Sequence, residues 1–352
     1  MSTSALERCA FAALLLLAAG ARAQIPVAPV VQAAQAASAP PVVAALGPGQ
    51  LALAVNDADP ASVALAEYYA RLRGIPPARI AHVSIPGKPP RLDAEAFERL
   101  KAGIDRQLGP EVRALLFAWS APYAVECNSL TSAYTLGFDA KQCERSCAPG
   151  RKNPIFNAKA LPPGMRLSML LPAEPLGVAR AVAERGKAAG FSVPAAGAYF
   201  LQTSEAVRNS RARFFPPSGT VPARKLTIHT LRQDVLEGAQ DIMFYQTGMA
   251  RVDKLETLRF LPGALADHLT SYGGDLQGSA QMSSVRWLEA GATASYGTVS
   301  EPCNHWQKFP HPQVLLQYYL GGATAIEAYW RSVAWPAQGL IIGEPLARPY
   351  GR

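Results

Sequence analysis

The sequence contains no uninterrupted apolar stretch of about 20 residues, the length that a bilayer-spanning helix requires, so no transmembrane helix is expected among its 352 residues. Basic residues outnumber acidic ones, 34 to 26, yet no run of Lys and Arg interleaved with aromatics marks a nucleic-acid surface, and no nucleic-acid partner is expected. A G-x-S-x-G nucleophile elbow is missing. Gly273-Gly274 and Gly321-Gly322 read as turn glycines outside any phosphate-cradling loop, so no cofactor is expected. With 5 His and 5 Cys, metal chemistry has few ligands to draw on. Glu301-x-Cys303-x-His305, with His311 nearby, gathers ligand types, but its spacing fits no zinc finger or ribbon, and no metal is expected. No internal repeat of fixed period is visible.

What the N-terminus does contain is a secretory leader. Residues 1–8 form a short polar start carrying Arg8, residues 9–20 (CAFAALLLLAAG) are apolar, and Ala21-Arg22-Ala23 is a small-x-small cleavage site. Cleavage after Ala23 would deliver the chain to the periplasm or the medium. Cys9 precedes the apolar run, which argues against a lipid anchor. Residues 24–50 are rich in Ala, Val and Pro and have neither helical nor strand periodicity, so they read as a disordered spacer. In an oxidising compartment the four remaining cysteines imply two disulfides, with three possible connectivities. A local Cys143–Cys147 bridge in a polar loop, with Cys127–Cys303 as the long-range staple, is the expected pair.

From residue 51 the signals alternate. Residues 51–55 (LALAV) form a buried strand. Asp59 caps a helix with Pro60 at its first position and Gly74 at its end. Residues 79–85 read as a strand, Asp93 starts a second helix, and residues 114–119 (ALLFAW) form a strand buried on both faces. Strands follow at 166–171, 197–203, 226–231, 241–247, 264–270, 292–299 and 339–343. Helices follow at 176–189, 283–290, 311–320 and 323–334. This rhythm predicts an α/β fold with a doubly wound, mostly parallel sheet, Rossmann-like in its three layers. Residues 51–352 read as one domain, with residues 128–165 as a loop-rich insertion carrying the local cysteine pair.

Ligands of such sheets gather beyond the carboxyl ends of the strands. Trp119 and Tyr123, Gln246 and Thr247, Asp267 through Ser271, and Glu301 are expected to line one rim, with Arg251 beside them. Ser271, His268 and Glu301 are the candidate catalytic groups. Ser271 and His268 lie too close along one strand for a triad drawn from separate segments. Trp119, Tyr123, Gln246, Thr247, Arg251 and Asp267 are the candidate binding residues. His82 and His229 fall in strand patterns and read as structural.

Three stretches of the C-terminal third carry a resemblance: QTGMARVDKLETLRFLPGALADHLTSYGG, QMSSVRWLEAGATASYGTVSEPCN and IEAYWRSVAWPAQGLIIGEPLARPY. With NDADPASVALAEYYARLRGIPPARI near the N-terminus, they resemble an uncharacterised bacterial family of exported proteins. That family is found sporadically in species with the PEP-CTERM/exosortase sorting system. More distantly, the order of elements resembles the caspase-like fold of gingipain-type cysteine peptidases. There, one strand ends in a catalytic His-Gly and the next in a catalytic Cys, and a Gly-Asp-Pro turn closes the domain. Here Thr247-Gly248 stands at the His-Gly position, Thr270-Ser271 stands near the Cys, and Gly343-Glu344-Pro345 resembles the closing turn. The resemblance implies a scaffold without its His/Cys dyad. The expected function is therefore a non-catalytic protein that binds an envelope or surface partner or polymer. The alternative is a hydrolase built on hydroxyl or carboxylate groups of the same rim.

Overall fold

The computed structural model describes residues 45–190 and 193–351, so the leader and residues 24–44 of the spacer lie outside the described residues. The last part of the expected spacer belongs to the fold. Pro48–Gln50 is a 3-10 turn, Leu46 is buried, and the Leu46 amide meets the Glu327 carboxylate at 3.4 Å.

The chain then runs β1 (Leu51–Asn56), α1 (Pro60–Arg73), β2 (Ile80–Val83), β3 (Arg91–Leu92), α2 (Ala94–Asp105), β4 (Ala114–Phe117), β5 (Ala124–Val125), β6 (Asn128–Ser129), α3 (Leu130–Leu136), α4 (Ala140–Glu144), β7 (Leu167–Leu170) and α5 (Leu176–Ala188). It continues with β8 (Ala196–Gln202), β9 (Gly219–Val221), β10 (Leu226–Arg232), β11 (Ile242–Thr247), β12 (Phe260–His268), α6 (Val285–Ala290), β13 (Ala294–Thr298), α7 (Pro312–Leu320), α8 (Ala325–Ser332) and β14 (Gly339–Gly343). Local chemistry sets the ends as expected. The Asp59 carboxylate accepts from the Ala61 amide, and Gly74 closes α1 with φ of 67°. Asp93 caps α2, and Thr324 and Glu327 form a capping box on α8.

Eleven strands form one sheet in the order β2-β1-β4-β7-β14-β13-β12-β11-β8-β10-β9, flanked by helices. Neighbours pair in parallel except at β13/β14 and β10/β9. The sheet is therefore mostly parallel, but it is two parallel blocks running in opposite directions. The blocks meet at the antiparallel seam where Ser295 faces Ile342 and Thr298 faces Gly339. Each block winds the same way. Its first strand (β1 or β8) has the next long strand (β2 or β10) on its outer side and later strands on its inner side. Because the blocks oppose each other, their carboxyl ends lie at opposite edges. The candidate residues expected along one rim are thus divided: Trp119 follows the tip of β4, whereas Thr247 and His268 end β11 and β12 at the far edge. Apolar periodicity carries no information on strand direction, which is why the single-rim expectation fails.

The stretch 128–165 is more than an inserted loop. It holds α3, which packs against β7 and β14 and serves as part of the β4-to-β7 crossover. Its sequence, LTSAYTL, is weak helix former material. The Ser129 side chain starts it by accepting from the Ser132 amide at 3.0 Å.

Cysteines pair as Cys127–Cys143 and Cys147–Cys303, each with Cα atoms 5.3 Å apart. The expected pairing, Cys143–Cys147 with Cys127–Cys303, is overturned. The Asn128 side chain brackets Asp139, donating to its carbonyl and accepting from its amide, both at 3.1 Å. This sets α4 against β6, so Cys143 meets Cys127. The chain beyond α4 carries Cys147 to the 301–305 loop, where His305 Nε2 meets the Cys147 carbonyl at 2.9 Å. Among the described residues no helix is long and apolar enough to cross a membrane.

A tryptic map under non-reducing conditions should yield linked peptides joining Cys127 to Cys143 and Cys147 to Cys303; a Cys127–Cys303 peptide would overturn this pairing. Replacing Cys147 and Cys303 by Ser should cost about 4–5 kcal/mol in urea unfolding, more than the roughly 3 kcal/mol expected for the short loop.

Candidate functional site

In an open α/β sheet the binding crevice forms where consecutive connections leave a strand in opposite directions. Each block has one such point, between β1 and β4 and between β8 and β11. The two are built differently.

At the β8/β11 point the crevice is filled by the chain's own segment 203–215. Thr203 donates its hydroxyl to the Gly248 carbonyl at 2.6 Å. The Arg208 carbonyl lies so close to Gly248 that a Cβ there would collide with it, which explains the glycine. Arg208 Nε reaches the Thr270 hydroxyl at 3.3 Å. Two 3-10 turns, Ala206–Arg208 and Ala212–Phe214, shape the segment and aim Arg211 beneath it. Arg211 is 1 % exposed. Its guanidinium pairs with the Asp267 carboxylate at 2.5 Å, donates to the Thr247 and Asp267 carbonyls at 2.9 and 3.2 Å, and reaches the Pro310 carbonyl at 3.3 Å. Gln246 Nε2 donates to the other Asp267 oxygen at 2.9 Å. Burial pushes the Asp267 carboxyl up from its ordinary value, and Arg211 and Gln246 oppose that shift.

The candidate residues on this edge are therefore interior groups. Gln246, Thr247, Asp267 and His268 are all buried. Arg211 Nε, Gln246 Oε1, Thr247 Oγ1 and Ser295 Oγ have no hydrogen-bond partner among the described residues. Such orphaned atoms are costly, about 1–3 kcal/mol each. His268 is held on both ring nitrogens: Trp287 Nε1 donates to Nδ1 at 2.9 Å, so Nε2 carries the proton toward the Met282 carbonyl at 3.1 Å. Desolvation pushes its pKa down to about 3, leaving a neutral structural imidazole. Ser271 is buried, and its carbonyl accepts from the Thr298 hydroxyl at 2.9 Å. Among the described residues no base stands within hydrogen-bond reach of its hydroxyl. Glu301 accepts from the Cys303 amide at 2.7 Å, and no hydrogen bond joins it to Ser271 or His268. The three candidate catalytic residues are thus not brought together. Arg251 is exposed and donates to the Ala280 carbonyl at 3.3 Å. Trp119 is buried, its indole bonded to the Pro122 carbonyl at 2.9 Å. Tyr123 is buried and donates to Asp275 at 2.7 Å.

The metal-ligand types near residue 301 are likewise dispersed. Cys303 is in a disulfide, and His311 caps α7 while packing on Phe214 and Trp306. His82 pairs with Asp57 at 2.8 Å on the surface, and His229 stacks on Tyr199.

On the carboxyl edge of the first block the open crevice lies just inward of the β1/β4 point, at the β4 and β7 tips. A cavity of about 420 Å³ lies beside the tips of β4 and β7, walled on the far side by Leu276, Gln277 and α6. Its polar groups are Lys88, Ser120, Glu174, Gln277 and Glu289; Pro172, Pro175, Leu276 and Val285 supply apolar surface. Lys88 bridges Glu174 at 3.1 Å and the buried Asp59 at 3.4 Å, and the Glu174 hydrogen bond is the main cause raising its pKa. Ser120 Oγ accepts from the Glu174 amide at 3.0 Å, fixing that wall. Sequence reasoning reached only the Ser120 neighbourhood of this cavity. Lys88 and Glu174 sit in Gly/Pro-rich turns with no periodic signal.

Two measurements check the sealed edge. Asp267→Ala leaves Arg211 buried without its counter-charge and should cost about 3–5 kcal/mol in urea unfolding, whereas Arg211→Met combined with Asp267→Leu should cost less than either single change. His268 has an ordinary pKa near 6.5 in the unfolded chain and about 3 in the folded one. Its contribution to stability is therefore complete above pH 6.5 and is lost as pH falls toward 3, by up to about 1.4 kcal/mol per pH unit. His268→Asn, which keeps an acceptor for Trp287, should flatten that slope; an unchanged slope would mean that His268 is not held neutral. Compared with protein families, curated proteins and solved structures, the chain has no match.

Proposed function

We propose that this chain is a non-catalytic binding protein of the envelope or cell surface, built on a degenerate caspase-like scaffold, with its ligand seated in the open cavity at the β4 and β7 tips. The observation that carries the reading is the contrast between the two carboxyl edges, one covered by residues 203–215 and the other holding an open cavity. The caspase-like part is supported by order and adjacency. β11 and β12 are parallel neighbours ending in Thr247-Gly248 and in His268 to Ser271, and α6, β13 and the Gly343-Glu344-Pro345 turn follow. At the positions of base and nucleophile this chain has Thr247 and a buried, doubly bonded region around His268. Two disulfides and the leader pattern support a periplasmic or secreted address.

The open cavity opposes the Lys88–Glu174 ion pair, the Glu289 carboxylate, an amide and a hydroxyl to a strip of prolines, Leu276 and Val285. That pattern suits a ligand with several hydroxyl or amine donors on one edge and an apolar face on the other, such as a saccharide unit of an envelope polymer. Calorimetric titration of residues 24–352 with soluble envelope saccharides should give saturable binding. Glu174→Gln should weaken it about tenfold, and Val285→Trp, which fills the cavity, should abolish it. Ser271→Ala should leave it unchanged. Absence of binding across such a panel, or a hydrolytic turnover removed by Ser271→Ala, would overturn the proposal.

A further inference from the structure

The outermost strand of the first block, β2, has a free edge, and that edge faces a groove. Free edges are pairing templates that proteins normally block. Here the Ile80 amide is held by the Pro77 carbonyl, and the block at the next outward-facing residue is a single side chain. Gln107 Oε1 accepts from the His82 amide at 2.9 Å, and Gln107 Nε2 donates to the His82 carbonyl at 2.9 Å. The two bonds are those that one residue of an added strand would make. Nε2 also donates to the Gly103 carbonyl at 3.0 Å, so the amide is parked on the last turns of α2.

Between β2 and α2 lies a groove of about 540 Å³. Val83, Ile85, Leu92 and Leu100 give it an apolar floor, and Ala96 and Gly103 keep the helix wall low. A Cβ on Gly103 would meet only the tip of the Arg106 side chain, at 4.0 Å. The charged side chains lining the groove are Arg99 and Arg106, with His82 beside them, and no carboxylate lines it. Glu95 and Asp57, which pair with Arg99 and His82, stand outside, and Arg106 has no ion-pair partner among the described residues.

We infer that this groove receives an extended, acidic peptide segment of a partner protein, which adds to β2 as an extra strand and displaces the Gln107 amide. Main-chain bonds to β2 supply affinity in this mode, and alternate side chains choose between floor and rim. Apolar residues would point to the Val83/Leu100 floor, and carboxylates would meet Arg99 and Arg106. The groove shares no lining residue with the cavity at the β4 and β7 tips, and the inference stands independently of it.

A fluorescein-labelled, N-acetylated octapeptide alternating Val and Glu is the probe, read by anisotropy against the full mature chain, with the Val/Lys peptide as control. The acidic peptide should bind saturably and the basic one about tenfold more weakly. Gln107→Ala removes the internal competitor and should tighten binding about tenfold. Gly103→Phe, a change that favours helix, should fill the groove and abolish binding. Arg99→Glu with Arg106→Glu should reverse the charge preference. Three results would each overturn the inference: no saturable binding of the acidic peptide, equal binding by Gly103→Phe, or a Gln107→Ala chain that pairs with itself in sedimentation without taking up the peptide. The last would make Gln107 a guard against self-association.

Discussion

The buried pair between Arg211 and Asp267 is the constraint around which the second half of the molecule is arranged. An isolated charge in the interior is several kcal/mol too costly to keep, so a carboxylate at the end of β12 demands a cation brought from elsewhere in the chain. The cation arrives from the segment after β8, and bringing it in forces that segment across the tips of β11 and β12. The plug, the need for glycine at 248, the burial of Thr247 and the bond from Arg208 to Thr270 all follow from satisfying one charge. The guanidinium also serves the backbone, tying the Thr247 and Asp267 carbonyls to the Pro310 carbonyl, and so links three segments distant in sequence.

A second anchor of the same type stands at the seam. Glu344, fully buried just past β14, takes Arg73 at 2.7 Å and the Tyr69 hydroxyl at 2.6 Å from α1. Burial pushes its carboxyl up, and Arg73 and Tyr69 act against that shift. The turn that closes the sheet is thereby fastened to the first helix. In both of these pairs the guanidinium comes from the segment that follows the block's first strand. In the first block that segment is a regular helix, which stays beside the sheet and leaves the strand tips clear. In the second it is irregular, and it lies over them.

Much of the architecture was legible because its signals are local. Asp59, Pro60 and Gly74 bracket α1 by capping chemistry, and the apolar runs at 51–55, 114–119 and 242–245 are short and continuous, as buried strands are. Strand direction was not legible, because nothing in a run such as GLIIG says which way it will lie beside its neighbours. The cysteine pairing failed for a related reason. Nearness in sequence favours Cys143 with Cys147, but the Asn128–Asp139 bracket, a contact between side chain and distant backbone, decides otherwise. At the site, Gln246, Thr247, Asp267 and His268 were correctly read as the ends of neighbouring strands and incorrectly read as accessible. A polar Gln and a charged Asp in otherwise apolar strands already imply a buried partner, but the RNSRARFF stretch offers Arg208, Arg211 and Arg213 without a period to choose among them.

The Cys147–Cys303 bridge spans 156 residues of sequence, from the first block's crossover to the loop beyond β13, and the loop it closes contains β7 through β13. Proteases cut exposed loops first. Any single cut within that closed loop leaves both pieces covalently joined, with the interior ion pairs still opposite one another. A molecule nicked between 148 and 302 would persist as a two-chain protein held by that bridge, with a new pair of termini in place of one severed loop.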